Sequence, residues 1–190
     1  MRGFSLIEIL VVVAIISGLV IYTIPNFKNI RQEQAVRSSL EQLQTTLRTA
    51  QNNAYSGLRC SSTKDSSLWG VSFTSATAYQ LECLLVKSPP PQDPNEPLYE
   101  APFSKSFTLP SGVTIESISL DNCQPSMGNI AVSFSNISSL VTYMPYVPSL
   151  VNKTSGDCSK KQLRSAKKII ITVGAKTVIV EKGGIISVQN

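Results

Sequence analysis

Met1-Arg2-Gly3-Phe4-Ser5-Leu6-Ile7-Glu8-Ile9-Leu10, running on to Ile24 without a second charge in the apolar stretch, decides the fold. Met1 to Gly3 form a short basic leader. The 21 residues Phe4–Ile24 are mostly apolar and hold one charge, Glu8. Wound as an α-helix they span about 31 Å, the thickness of a bilayer's hydrocarbon core. A carboxylate at that depth costs about 2.5–3.5 kcal/mol or more, so something must compensate Glu8. That makes Glu8 the first candidate functional residue. A secretory signal peptide would carry a longer charged region, a shorter apolar core and a small-x-small cleavage site, so the segment is expected to stay in the mature protein. Pro25 removes a backbone hydrogen bond and is expected to kink or locally melt the helix.

The apolar pattern resumes beyond Pro25. Val36, Leu40, Leu43, Leu47, Ala50 and Ala54 recur at spacings of 4, 3, 4, 3 and 4, one stripe on a helix. Arg31, Gln32, Glu33, Arg37, Glu41, Gln42 and Arg48 fill the other faces. Ser56-Gly57 supplies a stop. One helix from about residue 4 to 56 follows, in two halves. Residues 4–27 are greasy on every side and suit lipid or other such helices. Residues 28–57 are amphipathic and suit packing on a globular head, residues 58–190.

That head reads as antiparallel β, which makes the fold class α+β. Trp69-Gly-Val-Ser-Phe and Tyr79-Gln-Leu-Glu-Cys-Leu-Leu-Val are strands about a Ser-Ala-Thr turn. Residues 88–102 carry six prolines, cannot join a central strand and read as a surface loop. Phe107–Leu109, Val113–Leu120 and Ile130–Phe134 read as short strands, and residues 135–162 as irregular. Lys168–Val173 and Lys176–Val180 form a hairpin about Gly174-Ala175, and Gly183-Gly184 leads into a last strand, Ile185–Val188.

Composition narrows the chemistry. The chain has no histidine, so it lacks the commonest general base and metal ligand, and a Ser-His-Asp triad is impossible. Calcium-loop spacing and a Gly-rich phosphate loop are absent from the sequence. No enzyme, metal or cofactor is therefore expected. Cys60, Cys83, Cys123 and Cys158 show no Cys-x-x-Cys spacing, which disfavours zinc. Their even number in a Ser/Thr-rich, membrane-anchored chain points to two disulfides and an oxidising compartment. Of the three pairings, Cys60–Cys83 and Cys123–Cys158 are favoured because sequence neighbours tend to be spatial neighbours; buried reduced thiols are the alternative. Net charge is +5, and it is uneven: residues 153–190 hold eight basic and two acidic residues. Within them Lys160, Lys161, Arg164, Lys167 and Lys168 are candidate contacts for nucleic acid, against the plainer reading of a solvated strand face.

The constellation Gly3-Phe4-Ser5-Leu6-Ile7-Glu8, placed between a basic leader and the apolar run, resembles the class III signal of type IV pilin-like proteins. The resemblance implies a pilin fold, a long helix packed on an antiparallel sheet. It implies that a prepilin peptidase cuts between Gly3 and Phe4 and methylates the new amino group of Phe4. It also implies that Glu8 of one subunit meets the Phe4 ammonium of its neighbour, that Pro25 sits where related filaments melt, and that the partners are other pilin or pseudopilin subunits and an inner-membrane assembly platform. The subunit would be single-pass in the cytoplasmic membrane and then extracytoplasmic in a filament. Trp69-Gly-Val-Ser-Phe, Leu109-Pro-Ser-Gly-Val-Thr-Ile and the closing Gly184-Ile-Ile-Ser-Val are similar to the type II secretion pseudopilin H and FimT-like minor pilin group. Membership there makes a DNA-uptake pilus, with the basic C-terminal region on DNA, the alternative to a purely structural subunit. Phe134-Ser-Asn-Ile-Ser departs from that group's usual Phe-x-Pro-x-Gly segment, and the two candidate disulfides and the proline loop are also unusual for it.

Overall fold

The computed structural model describes residues 5–60, 67–86, 99–121, 123–124, 130–134, 141–145, 158 and 166–189, with side chains 21–29 of the helix, and those of 67, 86, 99–100 and 141–145 in the strands, outside the description. One helix, α1 (Leu6–Tyr55), precedes nine strands: β1 (Ser67–Ser75), β2 (Ala78–Val86), β3 (Tyr99–Thr108), β4 (Ile115–Leu120), β5 (Ile130–Phe134), β6 (Val141–Pro145), β7 (Lys168–Val173), β8 (Lys176–Glu181) and β9 (Ile186–Gln189). They form two antiparallel sheets, ordered β3-β2-β1-β5-β6 and β4-β7-β8-β9. The class is α+β, as the sequence led us to expect, and the arrangement is consistent with a pilin fold.

Among the described side chains of α1, those gripped by the head lie between residues 35 and 54. Leu40, Leu43, Leu47, Ala50 and Ala54 are at most 2% exposed and Val36 packs against them, so the 3–4 stripe is the buried face. Ser39 and Thr46 are buried beside it. Their hydroxyls donate to the carbonyls four residues back, Ala35 at 2.7 Å and Gln42 at 2.8 Å, so neither carries an unmet donor into the core. The helix ends in a Schellman motif: Leu58 N–H reaches Asn53 O, Gly57 N–H reaches Ala54 O, and Gly57 takes φ +67°. The helix is continuous through Pro25, so the melting expected there is not a feature of this conformation. A mid-helix proline removes one hydrogen bond, which the turns on either side can tolerate.

The core lies between α1 and the sheets. β1 and β5 are inner strands whose core face carries Trp69, Val71, Phe73, Ile130, Val132 and Phe134. Their other face is buried too, at Gly70, Ser72, Ala131 and Ser133. Two expectations are corrected. The proline-rich loop ends sooner than residue 102: β3 begins at Tyr99 and includes Pro102. Pro102 is tolerated because β3 is an edge strand and the register with β2 slips between Cys83 and Leu85, so the missing N–H costs no ladder bond. Residues 135–162 are also not wholly irregular, because β6 closes the other edge against β5. The strand ranges differ slightly elsewhere, with Val113 and Thr114 outside β4.

Candidate functional site

From Leu6 to Val20 every residue of α1 is exposed, from 82% at Leu6 to 48% at Val20. A helix with apolar residues on all sides is stable only inside lipid or against other chains, and soluble monomers seldom carry an apolar surface of this extent. Glu8 stands alone among them, in the first turn. Ser5 precedes it in extended geometry and supplies its carbonyl to the N–H of Glu8 at 3.0 Å. The helix dipole therefore presents its positive end to Glu8, worth about 0.3–1 kcal/mol at an exposed site and far less than the cost of an unpaired carboxylate in hydrocarbon.

The other polar group described in this stretch is neutralised locally. Ser17 Oγ donates to Val13 O at 2.7 Å, so its proton is already used within the helix. A Cβ at Gly18 would meet nothing within 4 Å, so nothing in the chain's own described packing requires a glycine there. Among the described residues no helix is long and apolar enough to cross a membrane. The expected span Phe4–Ile24 extends past both ends of the described side chains. Gly3 and Phe4, the expected processing positions, lie outside the described residues, as does the side chain of Pro25.

Three contacts aim the projecting helix. Gln51 Nε2 donates to Gly184 O at 2.8 Å, which fastens the last turns of α1 to the β8–β9 turn. Trp69 Nε1 donates to Leu58 O at 2.8 Å, which fastens the segment after the helix to β1. Cys60 is joined to Cys83, the register partner of Trp69. Sequence reasoning missed the first two. The usable signal was that Gln51 borders the buried stripe, although its partner turn at Gly184 lies 133 residues further on. Gly184 has φ +85°, and a Cβ there would sit 2.6 Å from Gln51 Nε2.

The second disulfide joins Cys123 to Cys158, Cα atoms 5.3 Å apart, and the described cysteines are thus paired as their spacing favoured. Among the described residues no group of His, Cys, Asp or Glu could hold a metal ion. Of the basic candidates, Lys167 and Lys168 are exposed at the start of β7, where Lys168 faces Glu181 in the β7–β8 register. Lys160, Lys161 and Arg164 lie outside the described residues.

A family model described as the prokaryotic N-terminal methylation motif matches residues 1–17. That match covers the leader, Gly3, Phe4, Glu8 and most of the exposed apolar helix, and it supports a type IV pilin-like class III signal at this N-terminus. Neither a curated protein nor a solved structure matches the chain.

Proposed function

We propose that this chain is a structural subunit of a type IV pilus or type II secretion pseudopilus. It is cut after Gly3, N-methylated at Phe4, held in the cytoplasmic membrane by Phe4–Ile24, and assembled through that same helix into an extracytoplasmic filament. The observation that carries the reading is the wholly exposed apolar helix with one carboxylate in its first turn, lying within the matched motif. Cleavage at Gly3 leaves an ammonium on Phe4. That cation and the Glu8 carboxylate are each costly in a low-dielectric surround and much cheaper as an intersubunit pair. A Cβ at Gly18 would meet nothing within 4 Å, so the glycine there leaves room for a neighbouring helix to approach. The role is architectural, with a prepilin peptidase and an inner-membrane assembly platform as partners. Likeness to the pseudopilin H and FimT-like group supports a place there as the narrower reading.

Glu8→Ala tests it. The variant is expected to lose its leader at the normal rate and to fall at least tenfold in filament incorporation, read by shearing filaments from cells and immunoblotting. Normal incorporation would sink the pairing argument.

A further inference from the structure

β3 is the outer strand of its sheet, and half of its free edge is left open. The Leu109 N–H reaches Thr77 O at 2.8 Å just past the Ala78–Thr108 register pair, which makes that pair a non-hydrogen-bonded one. Pairs alternate from there, through Tyr79–Phe107 to Glu82–Ser104, without a slip. The backbone N–H and C=O of Ser104, Ser106 and Thr108 therefore point away from β2, out of the sheet's edge. All three residues are exposed, and no described group outside the sheet bonds to those backbone atoms. Proteins ordinarily blunt such an edge with proline, a bulge or charge. Here Pro102 and the register slip opposite Cys83 and Leu85 blunt the first half of β3, and the 104–108 half carries only Lys105.

The side chains of β3 divide by face. Phe103, Lys105 and Phe107 share the α1 side with their register partners Cys83, Leu81 and Tyr79, all buried. Between that face and α1 lies a groove of about 400 Å³, lined by Leu81, Lys105 and Phe107 from the sheet and by Thr45 and Thr49 among others from the helix. Its aromatic wall is firm: Phe107 stacks on the buried Tyr79 ring, centroids 5.2 Å apart and planes 14° from parallel. Its helix-side hydroxyl protons are already used, Thr45 donating to Glu41 O at 2.7 Å and Thr49 to Thr45 O at 2.8 Å. Its charge is lopsided. Glu41, on the helix rim, is paired with Arg37 at 3.2 Å. Lys105 Nζ rests 5.4 Å from the Phe107 centroid, and among the described residues no carboxylate lies within ion-pair distance of it.

We infer that the 104–108 edge of β3 is a docking site for an extended segment of another polypeptide, added antiparallel as a further strand of the sheet. The open backbone groups supply the ladder and the groove receives alternate side chains, the way strand-addition sites combine affinity with selectivity. An added strand lies about 4.8 Å from β3. Its residue facing Lys105 stands across from an ammonium without a carboxylate and beside the groove, so charge complementarity selects Asp or Glu there. The two residues flanking it on the same face stand across from Phe103 and Phe107, where β-branched or aromatic side chains pair best. The opposite face meets Ser104, Ser106 and Thr108 and stays polar. The recognised pattern is thus apolar-x-acidic-x-apolar in extended form. The site belongs to the head and does not depend on how copies assemble.

The test is fluorescence anisotropy with the full chain in detergent micelles and a labelled probe, acetyl-Thr-Val-Ser-Glu-Ser-Val-Thr-amide. Saturable binding below about 1 mM is expected, with slowed hydrogen exchange of amides in residues 104–108. Lys105→Glu is expected to weaken binding about fivefold and to favour a probe with Lys in place of its Glu. N-methylation of both Ser residues of the probe removes the N–H groups that reach the Ser104 and Ser106 carbonyls, and is expected to abolish binding. Ser106→Pro should do the same from the protein side and leave the β2 ladder intact, because the N–H it removes points outward. No saturable binding of the probe to the wild-type chain at about 1 mM would overturn the site. Equal binding of the N-methylated probe would do so too. Self-association of the full chain that Ser106→Pro reduces and the probe fails to compete would also overturn it, since the edge would then hold a second copy.

Discussion

Gly70→Ala is the sharpest test of how the head is packed. Gly70 sits mid-strand in β1, between Glu82 of β2 and Ser133 of β5, and is buried. An added Cβ would lie 2.8 Å from Val132 O, 2.9 Å from Ser133 Oγ and 3.2 Å from Ser133 Cα. Two of those three atoms are backbone of a central strand buried on both faces, so the neighbour cannot swing aside. Overpacking of this kind costs about 1–3 kcal/mol. Against it stands about 0.4–1 kcal/mol gained because alanine restricts the unfolded chain. The net expectation is a loss of about 1–2 kcal/mol, which for a chain of this size lowers Tm by roughly 2–8 °C. Thermal unfolding of the purified, disulfide-intact full chain in detergent measures it. Ser133→Ala supplies the control. Ser133 Oγ is buried and makes no hydrogen bond, so its removal should be neutral or mildly stabilising. Combined with Gly70→Ala it should recover only part of the loss, since the Val132 carbonyl stays in place. A Gly70→Ala Tm at or above wild type, or full rescue by Ser133→Ala, would refute the claim that backbone contact forces glycine here.

Other outcomes follow from the same structure. Gly3→Leu should leave the leader attached, and N-terminal sequencing that still began at Phe4 would contradict peptidase processing. Leu47→Ala, at a fully buried position of the stripe, should cost about 2–5 kcal/mol, whereas Thr45→Ala two residues earlier on the exposed face should change stability by less than about 0.5 kcal/mol; equal denaturant midpoints for the two would mean that the stripe is not the packed face. Trp69→Phe removes the indole hydrogen bond to Leu58 O and should cost about 1–2 kcal/mol by chemical denaturation, with slower exchange of neighbouring amides counting against the assignment.

What could be read in advance was mostly local. The stripe from Val36 to Ala54, the stop at Gly57 and the hairpin at Gly174-Ala175 each follow from a spacing or a backbone preference acting within a few residues. At that hairpin Gly174 takes φ +59° and Val173 pairs with Lys176. The signal of Gly3-Phe4…Glu8 was legible for the same reason, since its chemistry is contiguous in the chain. What escaped was non-local. Ile130–Phe134 was visible as a strand, but its pairing with β1 was not, because a partner more than fifty residues away leaves no mark on a window of ten. β6 and the first half of β3 escaped because each carries a proline, which edge strands tolerate. The Gln51–Gly184 bond depends on two distant segments meeting, and neither sequence window alone suggests it.

The grip on α1 also decides how the molecule would bear load. Residues 35–54 of the helix, about 30 Å, touch β1, β2 and β5 of one sheet and β8 and β9 of the other. A pull along the helix axis therefore acts on all these contacts in parallel, as shear, and cannot peel them one turn at a time. At the far end the Schellman turn, the Trp69–Leu58 bond and the Cys60–Cys83 bridge stop the chain from unthreading into the loop beyond. Leu6–Gln34, with a contour of about 44 Å, is then a towline fixed to the head along a seam instead of at a knot.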